Sequence, residues 1–179
     1  NMNVDGRAVL HKCLIQTINQ MIRNLCAEIH AIPDQIIEIV FVGNTVIHHL
    51  VCNFPVRQLG RYPFVAAVSE PLNLSALDLG LETSPGAAVY LPPNIAGYVG
   101  SDHISMLIGT NSDLCHKTRI ALDIGTNTEI SLIHQGKIYS CSCASGPAFE
   151  GAHISCGMRA AEGAIERVQI SDDMLQYKT

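Results

Sequence analysis

Charge is scarce in this sequence. Only 15% of its 179 residues are Asp, Glu, Lys or Arg, against about 25% in an ordinary soluble domain, while 47% are hydrophobic. The basic residues never cluster and the formal net charge is −5. Without a basic patch there is no electrostatic footprint for nucleic acid, and that class of partner is excluded. Long apolar runs are missing too. The strongest, "IIEIVFVG" at 36–43, contains Glu38 and falls far short of the roughly 20 residues a spanning helix needs. No membrane segment is expected. The first residues, "NMNVDGRAVLHK", lack the basic-then-apolar order of a signal peptide, so the expected location is the cytoplasm. They also do not begin as a natural gene product does.

Paired cysteines are absent as well. The seven (Cys13, Cys26, Cys52, Cys115, Cys141, Cys143 and Cys156) include no C-x-x-C, so neither a zinc ribbon nor a four-cysteine cluster loop is written here. They read as reduced core fillers, with Cys141 and Cys143 on one face of a strand. The eight histidines are dispersed. The adjacent pair His48-His49 faces two directions on a helix and makes a poor metal site.

What is present reads as α/β. Length allows one domain or two small lobes. Val9, Leu10, Cys13, Leu14, Met21, Ile22, Leu25 and Ile29 recur at helical spacing and predict a helix over 6–31, closed by Pro33. The β-branched run 36–42 predicts a buried strand. "GNTVIHHLVC" (43–52) then reads as a turn into a helix capped by Asn44 or Thr45. Residues 53–85 are broken by prolines and read as loop, with a short helix near "LSALDLGLE". Further expectations are a strand over 87–92 and a helix from Ser101 or Asp102 to Gly109. Beyond a polar link at 110–118, three short strands follow over 119–124, 129–134 and 137–142. A helix begins near Phe149, with Ala152, Ile154, Met158, Ala161 and Ile165 on one stripe. The order is α/β with a β-meander.

Two stretches carry chemistry. "ALDIGTNTEISL" (121–132) runs an apolar strand up to an acid and turns through Gly, Thr, Asn and Thr. Such a turn is expected to leave outward backbone N–H groups, which make an anion site. Gly125 permits close approach, and Thr126, Asn127 and Thr128 can donate to the same oxygens. Asp123 repels a bare phosphate, but fits if magnesium lies between them, held through a water. Together the turn could hold nucleotide phosphates with their metal. The competing reading is an ordinary tight turn of good turn formers. "CASGPAFEGAHISCGM" (143–158) follows one strand later. Gly146-Pro147 breaks the chain, and Glu150 falls in the first turn of the next helix. There it could accept from ribose hydroxyls or simply complement the helix dipole.

"DIGTNTE" resembles the second phosphate loop of the actin-like ATPases. "FVGNTVIHHL", "LPPNIAGYVGSDH", "ALDIGTNTEISL" and "CASGPAFEGAHISCGMRAAEGAIERV" together resemble the ATPase domain of the reductive activators of corrinoid proteins, in order over 39–168. The resemblance implies a partial ribonuclease-H-like, actin-like ATPase fold. Residues 1–117 would be the end of a first lobe with the interlobe helix, and 118–179 the start of a second. It implies ATP and Mg2+ as ligands, and a corrinoid protein as partner. The iron–sulphur cluster would lie in a ferredoxin-type module of the same polypeptide outside this stretch. A second copy of the chain is a further candidate partner.

By position, the resemblance places Asp123, Gly125, Thr126, Asn127 and Thr128 on the phosphate loop. Many relatives have glycine where this chain has Thr128. Gly146, Pro147 and Glu150 fall where phosphates and ribose are held, and Asp102 near the residue that orients the attacking water; a plain N-cap is the alternative for Asp102. Asp102 and Asp123 are thus the implied catalytic pair. The implied activity is ATP hydrolysis coupled to lobe closure and electron delivery, restoring the cobalt(I) state. An earlier phosphate loop and a later adenine segment are absent, so these residues alone are expected to be inactive or nearly so. Two rivals remain: a small-molecule kinase of the same superfamily, and a non-enzymatic docking module using "FPVRQLGRYPFVAAV" (54–68).

Overall fold

The computed structural model describes residues 4–112, 117–146, 162–165, 167–171 and 174–179. The chain opens with α1 (Val4–Glu28). This helix is not ended by Pro33. His30 adopts a left-handed φ of 56°, and Ala31 N–H donates to the Cys26 carbonyl at 2.9 Å while His30 N–H donates to that of Ala27 at 3.3 Å. These two bonds form a Schellman cap, which takes up carbonyls the helix end leaves free.

Two short sheets follow. The first holds β1 (Glu38–Val40), β2 (Leu72–Ser75) and β3 (Ala88–Leu91) in the order β1-β3-β2. Strand β1 runs parallel to β3, with Glu38 opposite Ala88, and β2 runs antiparallel to it, with Leu72 opposite Leu91. Between β1 and β2 lies α2 (Thr45–Val51), whose first turn is capped by Asn44 Oδ1 accepting from Ile47 N–H at 2.9 Å. The core forms where Ile15 of α1, Val51 of α2, and Val89 and Leu91 of β3 meet Ala76, Leu79, Leu81 and Ala87. Asn19, buried on α1, donates to the Gly80 carbonyl and accepts from Glu82 N–H, both at 2.9 Å. It thereby ties the helix to the turn after β2.

Several expectations are corrected here. The region read as loop with a short helix contains β2, because Leu72 and Leu74 pack against the core in register with β3. The run 36–42 is not buried: Ile37 and Val40 are exposed, since β1 is an edge strand with one uncovered face. On α1 the buried positions are Ile15, Asn19 and Cys26, whereas Val9, Leu10, Met21, Leu25 and Ile29 face outward. The cysteines are not uniformly core fillers. Cys26 is buried and Cys52 half-buried, but Cys13, Cys141 and Cys143 are exposed.

Helix α3 (Ser101–Gly109) leads to a meander of β4 (Arg119–Ile124), β5 (Asn127–His134) and β6 (Lys137–Ala144), paired antiparallel in sequence order. A hairpin of β7 (Arg167–Ser171) and β8 (Met174–Lys178) closes the described chain. That hairpin replaces the tail of the expected helix, and Ile165 lies in coil and is exposed. The rest of the expected helix, with Cys156, falls outside the described residues, as does Cys115. No helix among the described residues is long and apolar enough to cross a membrane.

Candidate functional site

The β-branched segments of β4 and β5 pair from Arg119↔Ile133 to Ile124↔Thr128, so Gly125 to Asn127 make the connection. This turn is closed from within: Gly125 N–H donates to the Asn127 carbonyl at 3.0 Å. The sequence expectation of outward N–H groups therefore fails at Gly125, because its donor completes the turn. The exit of β6 folds over the same turn. Ser145 N–H and Gly146 N–H both donate to the Thr126 carbonyl, at 3.1 and 3.0 Å, with Gly146 at a φ of 81°. That left-handed backbone favours glycine. Asp123, Gly125, Thr126, Asn127 and Gly146 are thus gathered at one end of the meander.

Thr128 closes the same turn opposite Ile124. It is buried, and its Oγ1 accepts from Ser145 Oγ at 2.5 Å. Its hydroxyl holds the β6 exit against β5. Pro147 and Glu150 fall outside the described residues.

Register decides what lies beside Asp123. Directly opposed residues share a face, and Asp123 stands opposite Glu129, which stands opposite Ser142. Glu129 accepts from Ser142 Oγ at 2.9 Å. The next row holds Ala121, Ser131 and Ser140, with the two serine oxygens 2.6 Å apart. Near the turn this face is polar, giving way to the buried Ile133 further along, whereas the other face carries Ile120, Leu122, Ile124 and Tyr139, all exposed. Two carboxylates directly opposite each other repel, and a hydrated divalent cation relieves that repulsion. The pair therefore fits a magnesium held through water. No cluster of three His, Cys, Asp or Glu side chains placed to hold a metal occurs among the described residues.

Helix α3 approaches the polar face. Its N-cap is Gly100, without a side-chain cap; Asp102 is therefore not the N-cap. A Cβ at Gly100 would come within 2.7 Å of Asn44 Cα and 2.8 Å of the Gly43 carbonyl oxygen, so only glycine lets the two turns meet. Asp102 N–H and Ser101 Oγ donate to the Gly43 carbonyl at 3.3 and 2.9 Å. Asp102 Oδ1 accepts from His103 N–H at 2.9 Å. His103, fully buried, places Nε2 2.6 Å from Ser131 Oγ. The structure thus seats α3, one residue beyond Asp102, on the sheet that bears Asp123.

Sequence reasoning missed Glu129, Ser131, Ser142 and His103. Glu129 was legible once the turn length is fixed, because register alone sets it opposite Asp123. His103 carries no local signal.

Both stretches of the chain match known proteins. The RACo middle region matches residues 1–114, and the C-terminal domain of RACo, the ASKHA domain, matches residues 117–179. A corrinoid activation enzyme, RamQ of Eubacterium limosum, is 32% identical over 176 residues, covering 97% of this chain and 29% of that protein. The [Co(II) methylated amine-specific corrinoid protein] reductase of Methanosarcina barkeri is 28% identical, covering 89% of this chain and 31% of the relative. A solved reductive activator for corrinoid, iron–sulphur protein superposes with a TM-score of 0.84 at 37% identity, over 99% of this chain and 28% of that one. The chain thus spans less than a third of the length of these relatives. With both stretches matched, the chain belongs to the RACo family of reductive activators, and its α/β architecture is part of an actin-like fold.

Proposed function

We propose that this chain supplies part of the ATPase of a reductive activator that returns oxidised corrinoid protein to the cobalt(I) state. Residues 1–117 complete one lobe and end in the crossing helix, and 118–179 begin the second lobe. A corrinoid protein is the partner. The electron comes from an iron–sulphur cluster in a ferredoxin-type module outside these 179 residues.

The observation that carries this reading is the clamped turn. Asp123 and the Gly125–Asn127 connection lie under the Ser145–Gly146 exit. Thr126 and Asn127 are exposed there and can offer polar groups to phosphate oxygens. Asp123, with Glu129 opposite, would hold the waters of a magnesium ion, which neutralises phosphate charge when bound. Asp102, in the first turn of α3, would accept a proton from a water and orient it. Thr128 serves this site indirectly, by fixing the β6 exit.

Calorimetric titration with Mg·ATP tests the assignment, on the chain and on a longer protein that carries its flanking sequence. The longer protein is expected to bind, and Asp123→Ala to weaken binding at least tenfold. The chain alone is expected to bind weakly or not at all. Equal affinity with and without Asp123 removes the phosphate-loop assignment. It would leave a docking role, for which the exposed apolar face of β4–β6 is the natural surface.

A further inference from the structure

We propose that His103 is a positioning residue that sets the register of α3 on the β4–β6 sheet, so that Asp102 and Asp123 hold a fixed relation. The effect on hydrolysis rests on the ATPase reading above; the coupling of helix to sheet does not.

Leu107 of α3 and Ile133 of β5 are both buried and apolar. Apolar contact is non-directional and tolerates sliding of a helix along a sheet. The His103 linkage is directional. Its Nε2 lies 2.6 Å from Ser131 Oγ, which lies 2.6 Å from Ser140 Oγ. Both His103 and Ser131 are fully buried, so breaking the chain strands a desolvated polar group, a cost larger than the net worth of one bond. His103 Nδ1 has no hydrogen-bond partner among the described residues, which leaves the Nε2 bond alone to orient the ring.

The two ends of this linkage matter. On the helix, the Asp102 carboxylate is held by the backbone N–H of His103 itself. Wherever the ring seats that backbone, the carboxylate follows. On the sheet, Ser131 is two residues along β5 from Glu129, the partner of Asp123. Diagonal neighbours of this kind lie about 7 Å apart. The first turn of α3 is also pinned to Gly43 through Asp102 N–H and Ser101. Two directional anchors therefore fix the helix, one on each side, and His103 is the one that reaches the phosphate-loop sheet.

The test uses the longer protein with Ser131→Ala, His103→Leu and His103→Gln, read by amide hydrogen exchange and by steady-state ATP hydrolysis. Ser131→Ala is expected to speed exchange of the α3 amides at least tenfold while those of β5 and β6 hold. It should lower kcat at least tenfold with KM for Mg·ATP within threefold, since the turn at Gly125–Asn127 is untouched. His103→Gln, which keeps a polar atom in the place of Nε2, should recover most of both readouts, and His103→Leu neither. Unchanged α3 exchange in Ser131→Ala, or equal behaviour of the Leu and Gln variants, overturns the coupling. Faster exchange with unchanged kcat overturns the positioning role. If the unsubstituted protein does not hydrolyse ATP, the ATPase reading fails, and exchange still decides the coupling. Should His103→Leu not fold, Ser131→Ala decides by itself.

Discussion

Gly97→Ala is expected to destabilise the protein by about 3 kcal/mol, at the upper end of what overpacking costs. A Cβ built at Gly97 falls far inside the sum of its own and the Phe64 carbonyl oxygen's van der Waals radii, and that oxygen is a backbone atom that cannot rotate away. Phe64 has little freedom to yield. Its φ is 61°, its N–H donates to the Arg61 carbonyl at 2.7 Å, and its ring packs edge-on against Tyr98 at 5.3 Å. Tyr98 in turn donates to the Leu59 carbonyl. The loop from 94 to 100 is thereby clasped to the segment before it, and that loop delivers Gly100 to Gly43. Gly86→Ala is the control, since a Cβ there meets nothing within 4 Å. Urea unfolding of both variants reads the difference. A Gly97→Ala cost no larger than that of Gly86→Ala would show that the clasp yields freely.

The second large effect is acid sensitivity centred on His48. This ring is 1% exposed, and neither of its nitrogens has a hydrogen-bond partner among the described residues. Burial, and then the neighbouring His49, push its pKa down from 6.5 to about 4. Above pH 6.5 the ring is neutral whether folded or not, and stability is unaffected. As pH falls from 6.5 towards 4 the unfolded chain takes up a proton that the folded protein refuses. Stability therefore drops across that window and levels off below it. At about 1.4 kcal/mol per pH unit, the loss approaches about 3 kcal/mol, or roughly 6–12 °C in Tm for a chain of this size. His49 adds in the same direction: burial lowers its pKa, against a hydrogen bond to the Thr45 carbonyl that raises it. Thermal unfolding at pH 7 and pH 4.5, wild type beside His48→Met, isolates the contribution from that of the carboxylates. An equal drop in both proteins would remove His48 as its source.

What could be read from sequence divides by the range of the forces involved. The Asn44 cap, the extent of α3 and the three strands of the meander follow from signals a few residues long, and each stands where expected. Strand β2 does not, because its state is set by pairing with β3, which begins thirteen residues beyond it. The exposure of β1 and of much of α1 was illegible for a different reason. Periodicity tells which face is apolar, not whether anything covers it. Hairpin β7–β8 left a readable trace in its alternating Val168, Ile170, Leu175 and Tyr177, which a helical reading of the preceding stretch masked. At the site, the turn residues were legible from the motif. The burial of Thr128 was not, since it depends on Ser145 seventeen residues later.

The strand pairings also carry a kinetic meaning. In the meander each strand pairs only with its sequence neighbour, so loop closure is short and hairpins form in about 1–10 μs. Strand β1 must instead find β3 across fifty residues, Glu38 to Ala88, and closure entropy slows such distant pairing. The polar ledge that bears Asp123 and Ser131 is thus expected to exist before the core beneath α1 does. Pulsed hydrogen exchange would show this as β5 amides protected ahead of those in β3. On that order α3 docks onto a finished surface, and the early meander serves as the template on which the rest of the chain is aligned.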